Sequence, residues 1–388
     1  MNANETIIFK GADVCLRGKI LKNAFVAVEN GLIAKVSAAP LEGGQTVDLT
    51  GKILSAGFID IHIHGASGQD TNEATADGFR TIARTLASRG VTSFLPTTLA
   101  CPPQTLRRAL ETVRIARGFA DGANIVGAHL ESNFISPAFK GAQPEDNIFT
   151  PLSAQGEETK KIIAEFRDTV KIITVAPEVA GVPELISWLK KLGIISSLGH
   201  SAANYDEAVS GIRAGATHAT HLFNAMPPLH HRNPGLVGAV LESKKVFTEI
   251  ICDGLHVHPA VLATVFKTKS LHAVPVTDAL RGCAPGHDSF DFGGRKVTVK
   301  DGYARLENGT IAGSVAGMDG MLKLLKGKLG FSTAAALRQI SAVPAKALKL
   351  KDRGEIRAGL RADFAVLDAG LNVCRTIVCG RTVWERKD

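Results

Sequence analysis

Gly57-Phe58-Ile59-Asp60-Ile61-His62-Ile63-His64-Gly65 is an apolar run interrupted at every second position by a polar side chain. Alternate residues of a strand point to the same side, so His62 and His64 share a face and both imidazoles can reach one metal ion. Asp60 lies on that face too, where a supporting or packing role is expected rather than ligation. A lone His-x-His pair carries little weight, but the arrangement recurs. Ile125-Val126-Gly127-Ala128-His129-Leu130 ends at Glu131, and Ile194-Ile195-Ser196-Ser197-Leu198-Gly199 ends at His200. Thr217-His218-Ala219-Thr220 leads to His221, and Ala273-Val274-Pro275-Val276-Thr277 ends at Asp278. Side chains that carry catalysis gather at the C-terminal strand ends of a parallel α/β barrel, which is where these runs place them.

The intervening sequence supports that barrel. Helical stretches over Gly78 to Arg89, Pro103 to Arg117, Glu157 to Asp168 and Glu184 to Leu192 alternate with the apolar runs, as in βαβ units. A doubly wound open sheet is the rival, but no G-x-G-x-x-G follows a first strand. The two ends differ from the middle. Ile7-Ile8-Phe9, Ala24 to Val28 and Leu32 to Val36 read as strands punctuated by Asn30-Gly31 and Glu42-Gly43-Gly44; Ala362 to Leu367 and Thr376 to Trp384 read alike. The expected fold is therefore a (β/α)8 TIM-like barrel over residues 56–355, with a small β-sandwich domain built from residues 1–55 and 356–388.

Composition bounds the partners. The 388 residues, 45% hydrophobic and 21% charged, can bury a large core in an ordinary globular protein. Met1-Asn2-Ala3-Asn4-Glu5 lacks the basic and apolar regions of a signal peptide, and no apolar run is long enough to span a membrane. Cys15, Cys101, Cys252, Cys283, Cys374 and Cys379 form no C-x-x-C pair, which suits reduced thiols and a cytoplasmic location. A net charge of +8 reads either as a featureless basic surface or as a match for an anionic partner. Without a long Lys/Arg block, a phosphorylated small molecule fits that partner better than nucleic acid does.

The strand-end residues specify a chemistry. A divalent ion held by imidazoles and a carboxylate polarises a carbonyl and brings the pKa of its water to about 7. An aspartate beside it can take the water's proton and return it to a departing amine. His129, two before Glu131, could face the ion or orient one of its ligands. His218, three before His221, should point elsewhere and be structural; His272 and His287 have no supporting context.

At this point the motifs become recognisable. Gly57-Phe58-Ile59-Asp60-x-His62-x-His64 resembles the opening metal motif of the amidohydrolase superfamily. His129-Leu130-Glu131, Gly199-His200-Ser201, Thr220 to Met226, Asn233-Pro234-Gly235, Asp253-Gly254-x-His256, Val276 to Ala279 and Ala312-Gly313-Ser314 resemble, in order and along nearly the whole chain, the N-acetylglucosamine-6-phosphate deacetylase family. The resemblance implies that Glu131, His200 and His221 hold a principal divalent ion, with Zn2+ the expected metal. His62 and His64 keep the option of a second ion bridged by Glu131, and Asp278 would be the general base and acid. It implies substrate contacts from Ala142, Asn224, Ala225, Arg232, Asp253, His256, Ala312 and Gly313, an amino-sugar phosphate as substrate, and a homodimer that shares active-site residues. Arg232 suits a phosphate because its planar fork matches the oxygens, although a solvated loop charge is the plainer reading.

The chain also departs from the family. Ser132-Asn133 stands where Gly-Pro is usual, Gln143 where histidine is usual, and Gly317 where threonine is usual. The first two changes lie in the loop expected to cover the substrate while the metal and base positions are untouched, so the reaction type is better defined than the sugar. The alternatives are N-acetylgalactosamine 6-phosphate, an unphosphorylated N-acetyl sugar or a cyclic amide. A non-catalytic assembly protein on the same frame is the reading from another class.

Overall fold

Val91-Thr92-Ser93-Phe94-Leu95-Pro96-Thr97-Thr98 is buried at every position, the signature of a strand covered on both faces. It is the second of eight parallel strands that we label in chain order: β1 Phe58–Ile63, β2 Val91–Thr98, β3 Ala128–Glu131, β4 Val170–Val175, β5 Ile195–Leu198, β6 His218–Ala219, β7 Phe247–Ile251 and β8 Ala273–Val276. Each pairs in parallel with the next. A parallel bridge between Ile63 and Ala279 joins the end of β8 to β1 and closes the ring. The computed structural model describes residues 6–284 and 286–387; the opening pentapeptide Met1 to Glu5, inspected above for a targeting signal, lies outside them.

Every strand is followed by a helix, the first four being Ala76–Ser88, Pro103–Ala116, Ala154–Glu165 and Val182–Leu192. Their starts are encoded locally. Thr75 and Ser153 accept hydrogen bonds from the amides of Gly78 and Gly156, and Asn204 with Glu207 forms a capping box before Tyr205–Ala214. No helix among the described residues is long and apolar enough to cross a membrane.

The termini meet in one connected sheet of eight strands. Ile7–Leu16, Lys19–Glu29, Leu32–Ser37, Gln45–Asp48 and Ile53–Ala56 join Phe364–Leu367, Val373–Val378 and Arg381–Glu385. The link is antiparallel pairing of Ile53–Ala56 with Phe364–Leu367. Phe9 and Phe364 meet edge to face inside its apolar core, with ring centroids 5.6 Å apart. At Gly11 the φ is +76°, and a Cβ there would fall 2.5 Å from Thr50 Oγ1, so only glycine allows the first strand to change partners at that point. The run Thr376 to Trp384, read above as a single strand, is two: Cys379 and Gly380 both have positive φ and turn the chain back.

A four-stranded antiparallel sheet, Ser289–Phe292, Arg295–Lys300, Tyr303–Leu306 and Ile311–Gly313, is inserted after β8. Its apolar side brings Phe292, Val297 and Leu306 against Leu99, Ala142 and Leu280 at the barrel mouth.

Candidate metal centre

The interior of this barrel is polar where aliphatic layers are usual. Asp60 and His62 on β1, His129 on β3, Thr174 on β4, Ser197 on β5 and Glu249 on β7 are all buried. Thr174, Thr220 and Ser197 form a chain of hydroxyl hydrogen bonds of 2.8 and 2.7 Å, which His129 Nε2 joins at 2.8 Å. His129 Nδ1 faces the carbonyl of Ile61 at 3.1 Å. His129 therefore shares the inward face of Glu131 but lies two residues deeper, occupied by the barrel floor. His218 is stacked on Phe247 and does not join His221, and His272 packs on the same ring.

Above this floor the strand ends converge. His200 Nε2 and His221 Nε2 lie 3.0 and 2.9 Å from Glu131 Oε1 and 3.0 Å from each other. On the other side, His62 Nε2 and His64 Nε2 are 3.3 Å apart. They lie 3.3 and 3.2 Å from Asp278 Oδ1, and His64 Nε2 is 3.3 Å from Glu131 Oε2. His62 Nε2 is 3.6 Å from Glu131 Oε1. With metal–nitrogen bonds of about 2.0–2.1 Å, donor atoms in a tetrahedral shell stand about 3.3 Å apart. The His62/His64 cluster has that spacing, and the Glu131/His200/His221 cluster, at 2.9–3.0 Å, is slightly tighter. Glu131 sends one oxygen to each, so the donor set fits one divalent ion or two bridged by this carboxylate.

The electrostatics agree with a site made for positive charge. Burial alone would lower the pKa of His62, but Asp278 and then Glu249 outweigh it and push the value up to about 9. His64 is likewise driven up to about 10 against its burial, by hydrogen bonds and charge from Asp278 and Glu131. Burial would raise Glu131 and Asp278, yet the surrounding imidazoles hold both below the usual carboxylate range.

The backbone places these groups at a cost. His200, His221 and Asp278 have φ of +46°, +28° and +49° without being glycine. Each sits two residues beyond its strand, where the chain turns abruptly and tips the side chain over the barrel mouth. Such strained conformations cluster at functional sites. Asp278 is pinned further: its amide donates to His62 O at 2.9 Å and its carbonyl accepts from Ser314 N at 2.8 Å. Asp60 does not join the cluster. It accepts from the Thr277 hydroxyl and, at 3.3 Å, from the His62 amide, bracing the residues on either side of the centre.

The expected substrate positions divide. The loop with Ala142 lies over the site: a Cβ on Gly141 would be 3.4 Å from His200 Cε1 and 3.7 Å from Ala225 Cβ. Arg295 of the inserted sheet donates to the Ala142 carbonyl, and Gln143 donates to Glu131 Oε2 while accepting from Ala100 N at 2.8 Å. Asn224 donates to His221 O at 3.2 Å, and Ala225 O accepts from Ser201 N at 3.2 Å. Asp253 holds His256 Nδ1 at 2.6 Å, and His256 Nε2 is buried without a partner among the described residues. Gly313, with Ala312 beside it, touches the Asp278 backbone. Arg232 is apart: it is exposed, and its side chain bonds to His231 at 2.8 Å.

The unusual residues have structural partners. Ser132 donates to Thr174 O at 2.6 Å, and Asn133 donates to the carbonyls of Cys101 and Asn147, both at 2.8 Å, tying the loop after β3 to its neighbours. A Cβ at Gly317 would lie 2.6 Å from Asp319 Oδ1, which belongs to an ion pair with Arg89. Glu249, which bonds His62 Nδ1 at 2.9 Å, has no counterpart in the sequence reading. A lone glutamate inside the apolar strand Phe247-Thr248-Glu249-Ile250-Ile251 was the available signal.

Residues 53–383 match the amidohydrolase family. The N-acetylglucosamine-6-phosphate deacetylase of Bos taurus is 37% identical over 351 residues, covering 87% of this chain and 85% of that protein. The crystal structure of N-acetylglucosamine-6-phosphate deacetylase from Pasteurella multocida superposes with a TM-score of 0.92 at 32% identity, covering 98% of this chain and 100% of that one. A mutant of the Mycobacterium smegmatis deacetylase, in complex with N-acetyl-D-glucosamine-6-phosphate, gives 0.91 at 30% identity, with 98% and 99% covered.

Proposed function

The chain belongs to the amidohydrolase family, and from that premise we propose that it hydrolyses the N-acetyl amide of N-acetylglucosamine 6-phosphate to acetate and the amino-sugar phosphate. The observation that carries this reading is the convergence of Glu131, His200, His221, His62, His64 and Asp278 at the barrel mouth, in a chain that follows deacetylases over 98% of its length.

Glu131, His200 and His221 would hold the principal ion, and His62 and His64, with the second oxygen of Glu131, would hold another. Imidazole and carboxylate donors at tetrahedral spacing suit Zn2+. A divalent ion bound there would polarise the acetyl carbonyl and make the attacking water more acidic. Asp278 accepts the proton that water loses as its oxygen bonds to the acetyl carbon. The same carboxyl then delivers the proton to the sugar nitrogen as the C–N bond breaks, because the amine leaves poorly as an anion. Gln143, bonded to Glu131, keeps that carboxylate turned between the two halves.

His256, fixed by Asp253, offers its free Nε2 to the substrate, with Asn224, Ala225 and the backbones of Ala142, Ala312 and Gly313 lining the sugar. Arg232 takes the phosphate. Its exposed loop, which also carries Leu229 at 51% exposure, supports a homodimer in which the second subunit covers this rim. Six free cysteines support a reducing, cytoplasmic setting. Residues 56–355 act as the catalytic unit, and residues 1–55 with 356–388 as the supporting β-domain.

The test is acetate release by metal-loaded protein from a panel of N-acetylated hexosamines with and without the 6-phosphate. Fastest turnover of N-acetylglucosamine 6-phosphate is expected. No acetate from any member would sink the proposal, and a preference for unphosphorylated sugars would remove the phosphate role.

A further inference from the structure

Glu249 is a buried carboxylate inside the barrel, on the middle of β7, and it has one close partner. Its Oε2 faces His62 Nδ1 at 2.9 Å; its Oε1 has no hydrogen bond among the described residues, and His129 Nδ1 is 3.9 Å away. His129 cannot serve it well, since that nitrogen is already 3.1 Å from Ile61 O. A carboxylate so isolated is costly in a barrel interior unless positive charge stands nearby.

The neighbouring histidines show what it does. His64 and His200 also turn Nδ1 away from the centre, to the carbonyls of Thr97 at 3.1 Å and Phe139 at 2.9 Å. In each case the Nδ1–H is donated outward and the Nε2 lone pair is left facing the donor cluster. His62 alone among these three gives its Nδ1–H to a charged acceptor. Such a carboxylate fixes the ring and makes the imidazole a stronger metal donor. Its negative charge also compensates a second cation, which would otherwise stand close to the first.

We propose that Glu249 is the positioning residue of the His62/His64 half of the centre, orienting His62 so that this half retains its own divalent cation. The proposal rests on the two-ion reading above. It extends that reading to a residue that contacts neither ion nor substrate.

The test compares wild type, Glu249→Ala and Glu249→Gln, each loaded with Zn2+, dialysed, and measured for metal content and for the affinity of each equivalent by chelator competition. Wild type should hold two equivalents. Glu249→Ala should keep the first at wild-type affinity and weaken the second by about 10–100-fold. Glu249→Gln keeps an acceptor oxygen and the side-chain volume but not the charge, so its second equivalent should fall between the two; it also carries the test if the alanine variant does not fold. A second equivalent of unchanged affinity in both variants overturns the proposal, as does equal weakening of both equivalents, which would mean general damage to the barrel. One equivalent in wild type removes the two-ion reading itself, an outcome distinguishable from failure of Glu249 alone. Because metal is counted directly, the result does not depend on which amide is hydrolysed.

Discussion

Gly313→Ala tests how tightly the position of Asp278 is set. A Cβ at residue 313 would lie 2.8 Å from the Asp278 carbonyl oxygen and 3.0 Å from Leu280 Cδ2, against an ordinary contact of 3.4 Å or more. The leucine can swing away. The carbonyl cannot, because Ser314 N holds it at 2.8 Å and the Asp278 amide is tied to His62 O at 2.9 Å. Relief therefore requires the Asp278 backbone to move by about 0.6 Å. A misplacement of about 1 Å in a reacting group can cost roughly 10²-fold, so about a tenfold fall in kcat is expected. The φ of +153° adds backbone strain of roughly 1–3 kcal/mol, and each kcal/mol lowers the melting temperature by about 2–4 °C in larger domains. Acetate release, differential scanning fluorimetry and elemental analysis together give the readout: slower turnover, a lower melting temperature and unchanged metal. If kcat stays within about twofold of wild type in a folded variant, the Gly313 contact does not govern the base.

Asp278→Asn should lower turnover by about 10²–10⁴-fold while the Glu131/His200/His221 ion stays bound; near-normal activity would take Asp278 out of the proton path. His221→Ala should lose the principal ion and nearly all activity, and full occupancy measured by elemental analysis would refute its place as a ligand. Arg232→Ala should reduce kcat/KM for a 6-phosphorylated substrate by about 10–100-fold, matching charge-assisted hydrogen bonds of roughly 1.5–3 kcal/mol, and leave an unphosphorylated sugar nearly unaffected. An equal loss on both substrates would assign the arginine to the loop's structure instead.

The barrel was legible because its strands are short apolar runs, and because Glu131, His200, His221 and Asp278 each stand at or just past the end of one. Alternation put His62 and His64 on a common face. The same rule placed His129 on the inward face with Glu131 but left its depth open, since a two-residue step separates the mouth from the floor. Glu249 was marked only as a lone carboxylate in an apolar strand, and its role stayed hidden because it comes from His62, 187 positions away on another strand, with no local spacing to join them. The link between Gln143 and Glu131 likewise depends on how the loop folds back, although the unusual glutamine marked the position. The inserted sheet could have been found. Ser289-Phe290-Asp291-Phe292 and Lys296-Val297-Thr298-Val299-Lys300 alternate on either side of the Gly293-Gly294 turn, a strong hairpin signal.

The left-handed backbone at His200, His221 and Asp278 has a practical consequence for anyone improving this protein. Each residue costs on the order of 1–3 kcal/mol relative to a relaxed conformation. Glycine would adopt the same φ freely, so a selection for heat resistance that ignored turnover would favour positions 200, 221 and 278 early. It would gain melting temperature by deleting two of the expected metal ligands and the expected proton carrier. A thermostability library for this barrel should hold those three codons fixed and spend its diversity on the outer helices, where stability and chemistry are not in competition.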